Sequence, residues 1–458
     1  MSHPIAPERV LPTLNADGTR IRIRPRQYQG RLLSARRVVA WALMALFIAL
    51  PLVRVQGKPA VLLDVVHRQF VFFGRTFLAT DGVLLMLLML SIFVAIVLTT
   101  ALVGRAWCGW ACPQTVYMEF LFRPIERLFE GPREAQLRID RSGMNARRVA
   151  KNAVYLLLAS LLANVFLAYF VGTDALRRWV LEAPGQHMGG FTVVMVTTGL
   201  IFFDFAYFRE QMCTVICPYA RIQSVLLDPK SLLIGYDAKR GEPRSKGKAQ
   251  GSGHGDCIDC QACVVTCPTG IDIREGLQLE CIACGQCADA CDSIMKRINK
   301  PPGLIRYTSQ AALKAGEPTR LLRPRVAIYA LSLLGLIASL LLLGSRTPSS
   351  EVTILRGLGA PFSESGAEVV NQLRLKIRNR TEKTQQFRVE VVGMPRAKVV
   401  APELPLVVPP SEQAIANFFV VAPRSELRGS RHVQLQVSDG QTTQLIPYTL
   451  LGPEGATP

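Results

Sequence analysis

The chain has 458 residues, 49% of them hydrophobic, with 12 cysteines and a formal net charge of +19 at pH 7. That length exceeds a usual single domain, and that apolar fraction excludes an ordinary soluble protein. The charge excludes less than it suggests: basic residues crowd a few loops beside long apolar runs, the distribution of a membrane protein sorted by charge rather than of a nucleic-acid binder.

Residues 1–37 are polar and basic, carrying Arg20, Arg22, Arg24, Arg26, Arg31, Arg36 and Arg37. They read as a loosely ordered cytoplasmic tail whose arginines sit against anionic lipid head groups. The alternative is that Arg22–Tyr28 packs on the cysteine-rich domain farther along. Five apolar runs are each near the roughly 20 residues that a helix needs to cross hydrocarbon. They are Val38–Val53, Gly82–Val103, Ala153–Gly172, Met188–Phe208 and Val326–Gly344. The first is short and holds Pro51, but no small-x-small cleavage site follows it, so it reads as a retained anchor. The loops after the second and fourth runs are richer in Lys and Arg than those after the first and third. The positive-inside rule therefore places the N-terminus and these two loops in the cytoplasm and everything after the fifth run outside. The expected domains are a four-helix membrane region over 38–240, a cytoplasmic insert over 241–324, a fifth span over 325–345 and an extracytoplasmic domain over 346–458.

Directly after the second run comes Trp107-Cys108-Gly109-Trp110-Ala111-Cys112-Pro113, and directly after the fourth comes Met212-Cys213-Thr214-Val215-Ile216-Cys217-Pro218. Both have the form Cys-x-x-x-Cys-Pro, at matching offsets. This is an internal repeat, and repeats of one orientation are related by an axis along the membrane normal that brings the pairs together. On a helix, cysteines four apart share a face; the following proline argues instead for a helix-ending turn. Either way four sulfurs lie at one membrane level, and soft thiolates select Cu(I), zinc or iron-sulfur. Structural buried thiols and a thiol-disulfide couple are the alternatives. Tyr117–Glu130, interrupted by Pro124, reads as an interfacial helix on the cytoplasmic leaflet. Asp204, an acid inside the fourth run, is a candidate for proton uptake or quinol contact. His67 and His187 read as ordinary surface residues.

Past a Gly/Lys/Ser-rich connector over Gly241–Gly255, the chain runs Cys257-x-x-Cys260-x-x-Cys263-x-x-x-Cys267-Pro268. It then repeats the spacing as Cys281-x-x-Cys284-x-x-Cys287-x-x-x-Cys291. This doubled pattern is that of a bacterial ferredoxin, in which the fourth cysteine of each run crosses to the other cluster. One [4Fe-4S] cluster is expected on Cys257, Cys260, Cys263 and Cys291, and a second on Cys281, Cys284, Cys287 and Cys267. Zinc would call for two separated cysteine pairs, and eight cysteines in so short a segment with no signal for its export point away from disulfides. Asp292, not proline, follows Cys291. Beyond Gly344, alternating runs at Leu373–Ile377, Phe387–Val392, Ala414–Val421, His432–Val437 and Thr443–Leu450 predict a small antiparallel immunoglobulin-like sandwich without cysteine.

The fold class expected is thus an α-helical integral membrane protein of five spans, with a ferredoxin-like α+β insert and a C-terminal all-β sandwich. The motifs Arg22-Ile23-Arg24-Pro25-Arg26-Gln27-Tyr28, Trp107 to Thr115, Cys217-Pro218-Tyr219-Ala220-Arg221, Gly255 to Cys260, Cys281-Ile282-Ala283-Cys284 and Gly303-Leu304-Ile305-Arg306-Tyr307 together resemble the CcoG/FixG/RdxA family. These are iron-sulfur membrane proteins of cbb3-type cytochrome oxidase assembly. The resemblance implies a bacterial inner-membrane cupric reductase that reduces Cu(II) to Cu(I) for delivery to the oxidase. Copper is then the substrate, and Cys108, Cys112, Cys213 and Cys217 are the residues that bind it during reduction. It also implies copper chaperones, an importer and oxidase assembly factors as partners. The electron donor, cytoplasmic or quinol, stays open, as does a homodimer. Rival functions are a quinol-linked electron carrier and a non-redox assembly scaffold; no dinucleotide fingerprint is evident.

Overall fold

The computed structural model describes residues 9–453 apart from 16, 18, 56, 67–68, 79–81, 144, 246–252, 316–322, 346–347, 382, 411 and 441. His67 and the middle of the Gly241–Gly255 connector therefore lie outside the described residues. The chain forms two compact units, Met1–Leu341 and Leu342–Pro458.

In the first unit five helices are long and apolar enough to cross a membrane: Arg31–Leu52, Gly82–Val103, Ala146–Val171, Pro184–Phe208 and Pro324–Ser345. The protein is a multi-pass membrane protein. The first helix starts at Arg31 rather than Val38, because its exposed N-terminal amides find a partner. The Asp289 carboxylate accepts from the Leu32 and Leu33 N–H groups at 3.2 and 2.8 Å. Gly30, at the N-cap, has no side chain to do this, and a Cβ there would lie 2.0 Å from Asp289 Cγ. The cap is thus lent by a helix far away in sequence. The third helix buries the small residues Ala159, Ala163 and Ala168 and is capped by the Asn145 side chain, which accepts from Arg148 N at 2.9 Å. Small residues let membrane helices approach closely.

Two expectations are corrected here. The N-terminal arginines do not all face lipid: Arg24 and Arg36 are buried, and Arg24 binds Asp140 (3.0 Å) and Glu126 (2.5 Å). The stretch Tyr117–Glu130 is likewise packed among protein rather than lying free on a surface, and Arg123 within it donates to Pro268 O of the cysteine-rich module at 3.4 Å. It follows Pro113–Tyr117 as a π-turn over Met118–Phe122 and a helix over Arg123–Glu130, with Met118, Phe120, Phe122, Glu126 and Glu130 buried. The π-turn precedes Pro124, whose ring lacks the N–H that a helix interior needs. Phe122 stacks on Phe205 at 4.2 Å between centroids. One cause underlies both corrections: buried carboxylates demand counter-charges, and Arg24, Lys151 and Arg209 supply them, Arg209 as a fork on Glu126 at 2.8 and 2.9 Å.

A three-stranded antiparallel sheet (Val61–Asp64, Gln69–Phe72, Arg75–Leu78) and a helix (Thr173–Leu181) occupy stretches that the sequence reading treats as loops. The cysteine-rich module is tied by an antiparallel pair, Leu233–Tyr236 with Ile305–Thr308, so its first strand precedes residue 241. Between them lie the helices Ala262–Val265 and Gln286–Arg297. Ile234, Ile271, Ile273, Met295, Leu304 and Ile305 pack with the cysteines in one apolar core.

The second unit is an all-β sandwich. One sheet runs in the order Ser350–Arg356, Glu368–Asn379, Gln413–Pro423, Lys398–Val400, with Ser363–Ser365 beside the second strand. The other runs Leu406–Val408, Gln385–Val392, Ser430–Ser438, Thr443–Leu451. Alternate residues point inward, as the period of a strand requires, and Leu373, Leu375, Ile377, Phe387, Phe418, Val420 and Leu435 fill the core. Each such burial contributes about 1.5–3 kcal/mol. Buried Asn371 joins the two sheets by donating to Leu451 O (2.8 Å) and accepting from Leu451 N (2.9 Å).

Candidate iron-sulfur and thiol site

All twelve cysteines are free thiols. Cys257, Cys260, Cys263 and Cys291 line one cavity, with about 360 Å³ of atom-free space. Cys267, Cys281, Cys284 and Cys287 line another of about 340 Å³, and Cys263 borders both, so the cavities are neighbours. Among the described residues no three His, Cys, Asp or Glu side chains converge as ligands of a single ion. A cubane asks for something different, since each thiolate takes its own iron and the sulfurs must stand around a void.

The backbone fits the same purpose. Asp259 and Gln261, flanking Cys260, have φ of 50° and 54°, and Ala283 and Gly285, flanking Cys284, have φ of 50° and 77°. Positive φ is uncommon for residues other than glycine and costs about 1–3 kcal/mol each. Turns of this kind aim successive N–H groups into a concavity suited to an anionic iron-sulfur centre. The matched angles make the two loops conformational copies. Burial pushes these thiols up: Cys284 to about 11, Cys263, Cys281 and Cys291 to about 12, and Cys287 well above its ordinary value. Loading iron must therefore expel protons.

The two Cys-x-x-x-Cys-Pro segments adopt the helix-ending turn. Cys112 and Cys217 are extended, with φ/ψ of −61°/127° and −61°/108°, and Pro113 and Pro218 each open the next helix. That geometry suits a residue before proline. The four thiols come together: Cys108 and Cys213 each lie near enough to the other pair for charge on one to act on the next. Burial raises Cys108 to about 11 and raises Cys112 and Cys213 as well. Buried Gln223 accepts from Cys108 Sγ at 3.1 Å and donates to Tyr219 Oη at 2.6 Å. Asp204 sits beside the group, accepting from Gln114 Nε2 at 3.0 Å. A chamber of about 290 Å³ runs from Cys213 to Pro268 and Ile282, walled also by Glu119, Arg209 and Glu210.

The thiol group and the second cavity touch. Cys108 packs with Ile282 and Cys284 in one buried cluster. A Cβ on Gly109 would lie 2.5 Å from Ile282 O and 2.8 Å from Cys284 Cα, so only glycine allows this approach. Arg36 Nε donates to Gly109 O at 2.8 Å, Trp110 Nε1 donates to Tyr307 Oη at 2.9 Å, and Tyr307 Oη donates to Ala283 O at 2.6 Å. Sequence reasoning did not single out Gly109, Arg36, Gln223 or Asp289, and it used Tyr307 only as part of a motif. His187 is a surface residue, stacked on Trp179 and paired with Glu182 at 2.6 Å.

Residues 208–310 match a 4Fe-4S dicluster domain, residues 85–132 a 4Fe-4S binding domain, and residues 340–453 the IG-like fold at the C-terminal of FixG. The chain is 35% identical to Protein RdxA of Cereibacter sphaeroides over 391 residues, covering 81% of this chain and 82% of that one. It is 32% identical to the Nitrogen fixation protein FixG of Rhizobium meliloti, covering 82% of this chain and 80% of that one. Protein RdxB of Cereibacter sphaeroides is 31% identical, with 81% of each chain covered. With ferredoxin-type cysteine cavities, spanning helices and the C-terminal sandwich all in the matched order, the chain belongs to the FixG/RdxA family of membrane iron-sulfur redox proteins.

Proposed function

We propose that this protein reduces Cu(II) to Cu(I) at the thiol group formed by Cys108, Cys112, Cys213 and Cys217, for delivery to a cbb3-type cytochrome oxidase during its assembly. The observation that carries the reading is the packing of Cys108 in one buried cluster with Ile282 and Cys284, which sets a soft-ligand group against a cavity walled by ferredoxin cysteines. Cys257, Cys260, Cys263 and Cys291 would hold one [4Fe-4S] cluster and Cys267, Cys281, Cys284 and Cys287 the other. When bound, such clusters supply single electrons at reducing potentials. One electron converts Cu(II) to Cu(I), the state that thiolates prefer, and the Cys108–Ile282–Cys284 cluster is the crossing point.

The chain's own groups support each part of this. Met118 and Cys213 offer sulfur to Cu(I) in one chamber, whose wall carboxylates Glu119 and Glu210 are both ion-paired with Arg123. Raised thiols lose protons as they bind the metal. By the positive-inside rule the thiol group and the iron-sulfur module face the cytoplasm of a bacterial inner membrane and the sandwich faces the periplasm. Copper chaperones, an importer and oxidase assembly factors are the expected partners. The test is a Cys108/Cys112/Cys213/Cys217 quadruple serine variant. It should keep the iron-sulfur absorbance of the parent and lose copper binding and reduction; a variant that still binds and reduces copper overturns the assignment.

A further inference from the structure

The two cluster loops are conformational copies, yet they meet different neighbours. The Ile282–Gly285 loop is covered by the turn at Cys108 and Gly109, and Cys284 is buried. Its counterpart, Asp259–Gln261, is covered by nothing comparable among the described residues: Cys260 is exposed, as is Gln261. A loop built to meet a partner closely at one end of the module is therefore open at the other.

Charge says what fits there. Ile294 and Met295 line the same cavity as Cys260, and the residues that follow, Lys296 and Arg297, are exposed and form no ion pair among the described residues. The acids beside this loop are ion-paired: Asp259 and Asp272 share Arg274 at 2.5 and 2.6 Å, and Asp256 binds Arg240 and Lys300 at 2.6 and 3.0 Å. Lys296 and Arg297 are thus cations without an ion pair among the described residues, and Asp292, one turn earlier on the same helix, is turned to the Gly303 N–H at 2.7 Å.

We propose that the Asp259–Gln261 loop with Lys296 and Arg297 is the electron-entry face of the protein, and that it docks a soluble, acidic one-electron carrier protein. One electron leaves the reduced centre of the carrier and one enters the iron-sulfur centre held by Cys257, Cys260, Cys263 and Cys291; no bond is made or broken. This rests on the cluster assignment above, and it gives the module a direction, in at Cys260 and out at Cys284.

The experiment uses the full-length, cluster-loaded protein and reduced flavodoxin, an acidic flavoprotein, as the probe. Three quantities are read: binding of oxidised flavodoxin, bleaching of the iron-sulfur absorbance by reduced flavodoxin, and bleaching by dithionite. Lys296→Glu/Arg297→Glu should weaken binding and slow flavodoxin-driven bleaching about tenfold or more, because steering charges act on association. Added salt should slow the parent and not the variant. The dithionite amplitude should be unchanged in both, which shows the variant folded and loaded. Equal flavodoxin binding and rates in parent and variant overturn the docking face, as does faster bleaching by a reduced quinone than by flavodoxin. Absence of dithionite bleaching in the parent is a different failure, that of the cluster assignment itself.

Discussion

Replacing Gly109 with alanine tests the junction between the thiol group and the iron-sulfur module. The backbone there has an ordinary φ, so the effect is steric rather than conformational. The new Cβ would stand 2.5 Å from Ile282 O, 2.8 Å from Cys284 Cα and 2.9 Å from Cys284 N, all backbone atoms that no rotamer change can clear. Restoring ordinary contact requires the loop to retreat by about 1 Å, and overpacking of this kind costs about 1–3 kcal/mol. As a shift in how well the module seats on the turn, that is about 5- to 150-fold. The assay is anaerobic: reduce the protein with a small excess of dithionite, remove the excess, mix with Cu(II) and follow the return of the oxidised iron-sulfur spectrum. Gly109→Ala should reoxidise at least about fivefold more slowly while reaching the same reduced amplitude beforehand. An unchanged rate at full cluster content would refute the view that electrons cross at Cys108 and Cys284.

Other consequences concern the supports of the site. Asp289→Ala removes the cap on the first spanning helix and should lower stability by about 1 kcal/mol, read by thermal unfolding in detergent, with Asp289→Asn recovering part of it. Arg209→Gln removes the fork on buried Glu126, which Arg24 and Lys151 still face, and should cost about 1–3 kcal/mol in the same assay. Burial opposes ionisation of Asp140, but Arg24 and Arg148 hold its carboxyl down at about 2, against 3.8 when unfolded. Its contribution is therefore complete above pH 3.8 and is lost as pH falls towards about 2; hydrogen exchange of the Arg20–Tyr28 amides should quicken across that window, and Asp140→Asn should abolish the step. Gln223→Leu removes the buried amide that accepts from Cys108 Sγ and donates to Tyr219 Oη and should cost about 1–3 kcal/mol in the same unfolding assay, while quickening alkylation of Cys108.

What could be read directly from the sequence follows rules with few solutions. Hydrocarbon thickness fixes the length of a spanning run, a cubane fixes the spacing of its thiolates, and strand period fixes the alternation seen in the sandwich; these gave the fold class and the iron-sulfur character. Proline at 113 and 218 favoured the turn that Cys112 and Cys217 adopt. Charge was harder, because an arginine looks alike whether a lipid phosphate or a buried glutamate awaits it. Arg24 turned out to serve Glu126 and Asp140, and Glu126 and Glu130 hold Tyr117–Glu130 against buried cations inside the protein. Long-range services such as the Asp289 cap on residues 32–33 leave no local signal at all. Gly109 lay inside a quoted motif, but only the nearness of Cys284 explains why it must be glycine.

The most direct test of the central claim is an anaerobic titration of the fully reduced protein with Cu(II), reading iron-sulfur absorbance and a Cu(I)-specific chelator together. If electrons held by the ferredoxin module reach copper at the thiol group, each Cu(I) formed will match one electron lost from the iron-sulfur centres, and the quadruple serine variant will form none at the same cluster content. Cu(I) formation that proceeds equally well in that variant, or reduced centres that stay reduced while Cu(II) is present, would contradict it.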